Sequence, residues 1–215
     1  MSDGIEKKVT RVSIIIPILF VGLLFLIYLL DVSMGKHFFR FGIYPRTLEG
    51  LRGIFFMPFL HGSFSHLLSN SIPLLLLGFL LIYSYRYIAY PVFFMLWFID
   101  GLGVWFFGRE SYHIGASGLV YGMASFLFFS GLLRKNRNLL GLSLAVVFIY
   151  GGLVWGLFPI LPDISWEGHL FGFLAGIALS LYYQKKGPPD DPVPEWMEEE
   201  PGEEIDWTEV KKPEM

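Results

Sequence analysis

Three short stretches of this chain carry side chains that move protons and acyl groups. HGSFSHLLSN holds His61, His66 and Asn70; GASG holds Ser117, with Tyr121 four residues on; EGHLFG holds His169. A serine hydroxyl becomes a nucleophile when a base within about 2.6–3.2 Å takes its proton. Imidazole and amide N–H groups can hold the oxyanion that forms when such a serine attacks a carbonyl. Together these are the parts of acyl-transfer chemistry. Each part alone has a plainer use: GASG as a helix-packing face, a histidine at a helix start as an interfacial hydrogen bonder. The conjunction makes the chemical reading the stronger one.

Spacing supports it. His66 and Asn70 are four apart and share a helix face, as do Ser117 and Tyr121. Glycines recur at four-residue intervals beside the serine (Gly118, Gly122) and beside the histidine (Gly168, Gly172, Gly176). Ordinary helix axes stand about 8–10 Å apart. Small-xxx-small faces bring membrane helices closer, close enough for a short serine and a histidine to touch.

The elements that must position these residues are membrane helices. The chain has 215 residues, 54% hydrophobic and only 16% charged, with a mean hydropathy of +0.55. A soluble domain carries about 25% charged residues. The bases are scattered, which excludes a nucleic-acid binder. There is no cysteine, so disulfides, thiol catalysis and cysteine-ligated zinc are excluded.

A membrane helix needs about 20 mostly apolar residues. Runs that meet this are Val12–Leu30, about Ser65–Tyr85, Tyr87–Gly108, Ser111–Leu133, Asn138–Pro162 and Ile164–Gln184. None alternates with period two, so the expected fold is all-α, a six-transmembrane-helix bundle. The domain plan has three parts: a short cytoplasmic N-terminus over 1–11, the six-helix domain over 12–185, and a tail over 186–215. The tail is acidic and Pro-rich, and is expected to be disordered in the cytoplasm. The basic start and first apolar run lack a small-residue cleavage site, so an uncleaved first helix is expected.

Orientation follows the positive-inside rule. Lys7, Lys8 and Arg11, then Arg134, Lys135 and Arg137, then Lys185 and Lys186 fall on one side, the cytoplasm. The connection from Asp31 to Phe64 lies outside yet carries Lys36, Arg40, Arg46, Arg52 and many aromatic residues. That composition predicts an outer loop lying partly in the membrane. The second, fourth and sixth spans then start on the outer side, each with its polar residues near that start. This topology puts Ser117, His169, His66 and Asn70 at similar depth.

Other uses of these residues are weaker. His61 and His66 are five apart and share no helix face, and there is no HExxH, so a haem or metal site is disfavoured. An aspartyl intramembrane protease needs two membrane aspartates, and only Asp100 lies in a span. Asp100 reads as a structural hydrogen bonder, and His37 and His113 as structural histidines. Glu167, two residues before His169, points away from it on a helix. The spacing therefore predicts a dyad without a carboxylate.

The combination His61-x4-His66-x3-Asn70, Gly115-Ala116-Ser117-Gly118 with Tyr121, and Gly168-His169-x2-Gly172-x3-Gly176 resembles the rhomboid family of intramembrane serine proteases. The resemblance runs from about residue 12 to 185 and is to the basic six-span form common in bacteria. It implies a multi-pass protein of a bacterial cell membrane, with both termini cytoplasmic and the active site near the outer face. It implies Ser117 as nucleophile and His169 as base. His66, Asn70 and the Ser117 N–H would hold the oxyanion, and Tyr121 would pack on the base. His61 and Arg52 match structural residues of the first outer loop, where the family often has Trp-Arg and this chain has Leu51-Arg52. Gly115, Gly118, Gly172 and Gly176 would support the site. The implied partners are transmembrane protein substrates and the lipid bilayer, with no nucleic acid, metal or cofactor. A catalytically inactive, rhomboid-like binding or chaperoning protein is the alternative; such proteins typically lack the serine or the histidine.

Overall fold

The computed structural model describes residues 2–35, 37–134, 136–160 and 164–188. Beyond its first three residues, the acidic tail lies outside the described residues. Six helices of 14 residues or more dominate: α1 Ser2–Ser33, α2 Phe64–Ser84, α3 Ala89–Phe107, α4 Ser117–Leu133, α5 Arg137–Tyr150 and α6 Trp166–Tyr182. They fall on the six apolar runs, with shifted ends. α1 begins well before Val12. Residues 111–116 are a loop, so α4 starts at Ser117 itself. α5 stops at Tyr150 and continues as a 3₁₀ turn over Gly151–Leu157. No β-strand forms among the described residues; Ile43 and His113 make one isolated antiparallel bridge.

Local sequence explains the boundaries. Ser63 caps α2 by accepting from the His66 N–H at 3.1 Å, and Asn136 caps α5 by accepting from Leu139 at 3.0 Å. Such caps satisfy N–H groups that have no partner inside the helix. Gly115 turns the chain into α4 with φ +112°, a conformation that side chains resist.

α4 is the central helix, with eleven of its 17 residues buried. Leu119, Met123, Phe126 and Leu127 pack into a core shared with Leu67, Leu74 and Leu77 of α2 and Leu96 of α3. The outside is apolar as well: Leu19 and Leu29 of α1 and Phe148 of α5 are exposed. Four stretches, Lys7–Ser33, Phe64–Ser84, Ala89–Phe107 and Arg137–Leu157, are long and apolar enough to cross a membrane.

The first connection folds as short turns over Phe38–Phe41, Leu48–Leu51, Gly53–Phe56 and Met57–Phe59. The Arg52 guanidinium lies 4.9 Å above the Phe41 ring and donates to the Arg40 carbonyl. At the opposite end of α4, Arg134 is buried rather than solvated. Its guanidinium donates to Ser130 Oγ and to the carbonyls of Tyr183, Lys186 and Pro188, joining the ends of α4 and α6.

Candidate active site

α4 and α6 approach with no room for a methyl group between them. A Cβ on Gly172 would lie 2.1 Å from the Gly118 carbonyl oxygen, and one on Gly176 would lie 2.4 Å from that of Gly122. Ser125 ties the pair by donating to the Phe173 carbonyl at 2.9 Å. This approach brings the two short polar side chains together. Ser117 Oγ donates to His169 Nε2 at 2.9 Å.

The other face of the imidazole is also fixed. His169 Nδ1 lies 2.9 Å from the Gly156 carbonyl oxygen. A carbonyl only accepts, so Nδ1 carries the proton and Nε2 keeps the lone pair that faces the serine. Tyr121 stacks on the imidazole with centroids 4.2 Å apart and planes within 8°. Its hydroxyl donates to the Leu153 carbonyl at 2.8 Å, which anchors the ring that holds the base.

In front of this pair lies a cavity of about 720 Å³, lined by His66, Asn70, Ser117, Tyr121, His169 and the serines of the α2 start. Asn70 Nδ2 donates to His61 Nε2 at 3.1 Å, which sets the amide's orientation. The His66 ring rests against Gly115, where a Cβ would come within 2.7 Å of it. Ser117 is the first residue of α4, so its N–H has no partner inside the helix. An imidazole, a carboxamide and a main-chain N–H thus share one wall with a hydrogen-bonded serine.

The chain matches the Rhomboid domain over residues 49–186. It belongs to the rhomboid family. Uncharacterized proteins of Mycobacterium tuberculosis and Mycobacterium bovis are 39% identical to it over 170 residues, 74% of this chain and 70% of each relative. An uncharacterized protein of Mycobacterium leprae is 36% identical over 170 residues, 74% of this chain and 66% of that relative. With its apolar helices, this rhomboid is an integral membrane protein. Its family holds intramembrane proteases and inactive relatives.

The matched stretch of the rhomboid contains the whole cavity. It also contains Glu167 and His113, ionisable groups that stay out of the Ser117–His169 pair. Glu167 faces Arg109 instead: its carboxylate accepts from the Arg109 N–H at 3.3 Å and pairs with the guanidinium at 3.8 Å. His113 is held by Ser165 Oγ at 2.6 Å and by the Arg109 carbonyl at 3.0 Å, with burial pushing its pKa down. His37 lies beside Gly35, apart from the cavity, and Arg52 likewise does not line it. Among the described residues, no three His, Cys, Asp or Glu side chains gather as metal ligands.

One expectation changes, and two partners were not foreseen. Asp100, expected to be a structural hydrogen bonder, is fully buried and makes no hydrogen bond among the described residues. The partners of His169 Nδ1 and Tyr121, Gly156 and Leu153, carry no sequence signal, because any residue can supply a main-chain carbonyl. Gly156 alone leaves a trace: a Cβ there would meet the Tyr121 hydroxyl at 1.9 Å.

Proposed function

We propose that this rhomboid is an intramembrane serine endopeptidase that hydrolyses peptide bonds in or near the transmembrane segments of membrane-protein substrates. The observation that carries the reading is the 2.9 Å Ser117–His169 hydrogen bond, with the imidazole held in the base tautomer by Gly156. Nε2 takes the serine proton as Oγ attacks the substrate carbonyl. The oxyanion is held by the Ser117 N–H with Asn70 and His66, fixed before the reaction so that little reorganisation is needed. His169 passes its proton to the leaving amine, the C–N bond breaks, and an acyl-serine remains. Water, deprotonated by the same imidazole, then releases the acid and restores Ser117.

A main-chain carbonyl takes the place of a triad carboxylate, so this is a dyad. The open cavity supplies room for water and for an unwound stretch of substrate, since irregular backbone at membrane depth must be covered by protein or line a wet cavity. The proposed topology crosses the membrane six times, with both termini cytoplasmic and the site near the outer face.

The test is cleavage of a reporter transmembrane substrate by the purified protein in detergent, together with labelling by a fluorophosphonate. Wild type should cleave and be labelled. Ser117→Ala and His169→Ala should insert normally yet do neither. Substantial cleavage by either variant, or an inert wild type, would overturn the reading, the latter in favour of an inactive relative.

A further inference from the structure

α4 and α6 both start without help from a capping side chain: Ala116 and Ser165, just before their first turns, make no capping hydrogen bond. A helix start gathers unpaired N–H groups and partial positive charge. Between these two starts lies the carboxyl of Asp100, carried by α3. Asp100 is 0% exposed. A Cβ on Gly118 would lie 1.8 Å from its Oδ2, and one on Gly168 would lie 3.8 Å from its Oδ1. Gly118 follows Ser117 in the chain, and Gly168 precedes His169. One carboxyl therefore abuts the residue after Ser117 and faces, across a wider gap, the residue before His169.

Neither oxygen has a hydrogen-bond partner among the described residues. A buried polar group without a partner costs free energy that an apolar residue would not, and ionisable groups within membrane helices mark function by default. The glycine at 118 makes the contact possible, since any side chain there would collide with the carboxyl.

We propose that Asp100 is a positioning residue for the dyad: its polar head, wedged against Gly118 and facing Gly168, lies beside the positive starts of α4 and α6 without hydrogen-bonding to either, and sets the Ser117–His169 separation. The inference rests on Ser117 being the nucleophile. Shape and polarity carry the role, so Asp100→Asn, which keeps both, should label with fluorophosphonate and cleave within about threefold of wild type. Asp100→Leu removes the polar head while filling the space. It should hold its melting temperature in detergent, keep KM, and lose at least about tenfold in kcat and in labelling rate. If Asp100→Leu does not insert, Asp100→Ala takes the same measurement. A leucine or alanine variant that labels at the wild-type rate overturns the proposal, as does an asparagine variant that is folded but tenfold slower. Inactive Ser117→Ala beside fully active Asp100→Leu would sink this inference alone. Active Ser117→Ala would sink the proposed function first.

Discussion

The Gly156 carbonyl oxygen lies 2.9 Å from Nδ1 of His169, on the side of the imidazole away from Ser117. The orientation of the base thus depends on the backbone of the segment after α5, not on a neighbouring acid. That segment has no spare room, because a Cβ on Gly156 would lie 1.9 Å from the Tyr121 hydroxyl and 3.1 Å from His169 Nδ1. Gly156→Ala should push the carbonyl and the tyrosine off the imidazole. We expect kcat to fall by roughly 10²-fold, the scale of a misplaced catalytic group, with KM nearly unchanged. Steady-state cleavage in detergent reads both, and a fully active variant would show that the base needs no such support.

The glycine faces should be unforgiving where they touch and tolerant where they do not. Gly172→Ala drives a methyl into the Gly118 carbonyl, while Gly22 has nothing within 4 Å of its Cβ position. Overpacking costs about 1–3 kcal/mol, so Gly172→Ala should lower the melting temperature and remove most activity. Gly22→Ala should leave both intact. Thermal unfolding beside cleavage assays compares the two, and equal behaviour would refute the close-packed seam.

His66→Ala and Asn70→Ala should each slow cleavage by about 10²–10³-fold, the cost of one oxyanion donor in a soluble serine protease. Their stabilities should differ. Asn70→Ala also strands the buried His61 ring, which costs about 1–3 kcal/mol, whereas His66→Ala strands no hydrogen-bonded partner. Unfolding curves separate these effects from the rates, and unchanged rates in both variants would reduce the two residues to packing.

Acid should loosen the site through His61. Burial first, and the neighbouring His66 second, lower its pKa from 6.5 to about 4. The folded protein favours the neutral ring, so the stability this brings is complete above pH 6.5 and is lost as pH falls to about 4. The span is worth about 3 kcal/mol. A protonated Nε2 also cannot accept from Asn70. Melting temperature should fall across that range, and His61→Asn should flatten the fall. Parallel curves for wild type and variant would rule His61 out as the titrating group.

Much of this was legible in the residues alone. Helix-length apolar runs mark the six helices because a lipid-facing helix needs little else. The four-residue spacing of Gly118, Gly122, Gly172 and Gly176 marks the seam because only hydrogen fits there. Helix ends were less legible. The loop before Ser117 carries no Asp, Glu, Lys or Arg over residues 111–116, so it reads as part of the span, and the turn shows in the positive φ of Gly115. Arg134 reads as a solvated flanking charge, yet it is 7% exposed, since main-chain carbonyls at a helix end leave no pattern in a sequence. Asp100 reads as a hydrogen bonder because a buried polar side chain ordinarily has a partner, yet none faces it among the described residues.

The Arg134 clasp has a mechanical consequence. It ties the two helices at the end opposite Ser117 and His169, while the glycine seam and the Ser125–Phe173 bond hold the length between. Seventeen residues span about 25 Å at 1.5 Å each. One degree of splay about Arg134 moves the far end by about 0.4 Å, close to the roughly 0.5 Å within which reacting groups must be held. Substitutions at Arg134 should therefore be felt in the rate of acylation at the far end, long before they are felt in whether the protein folds.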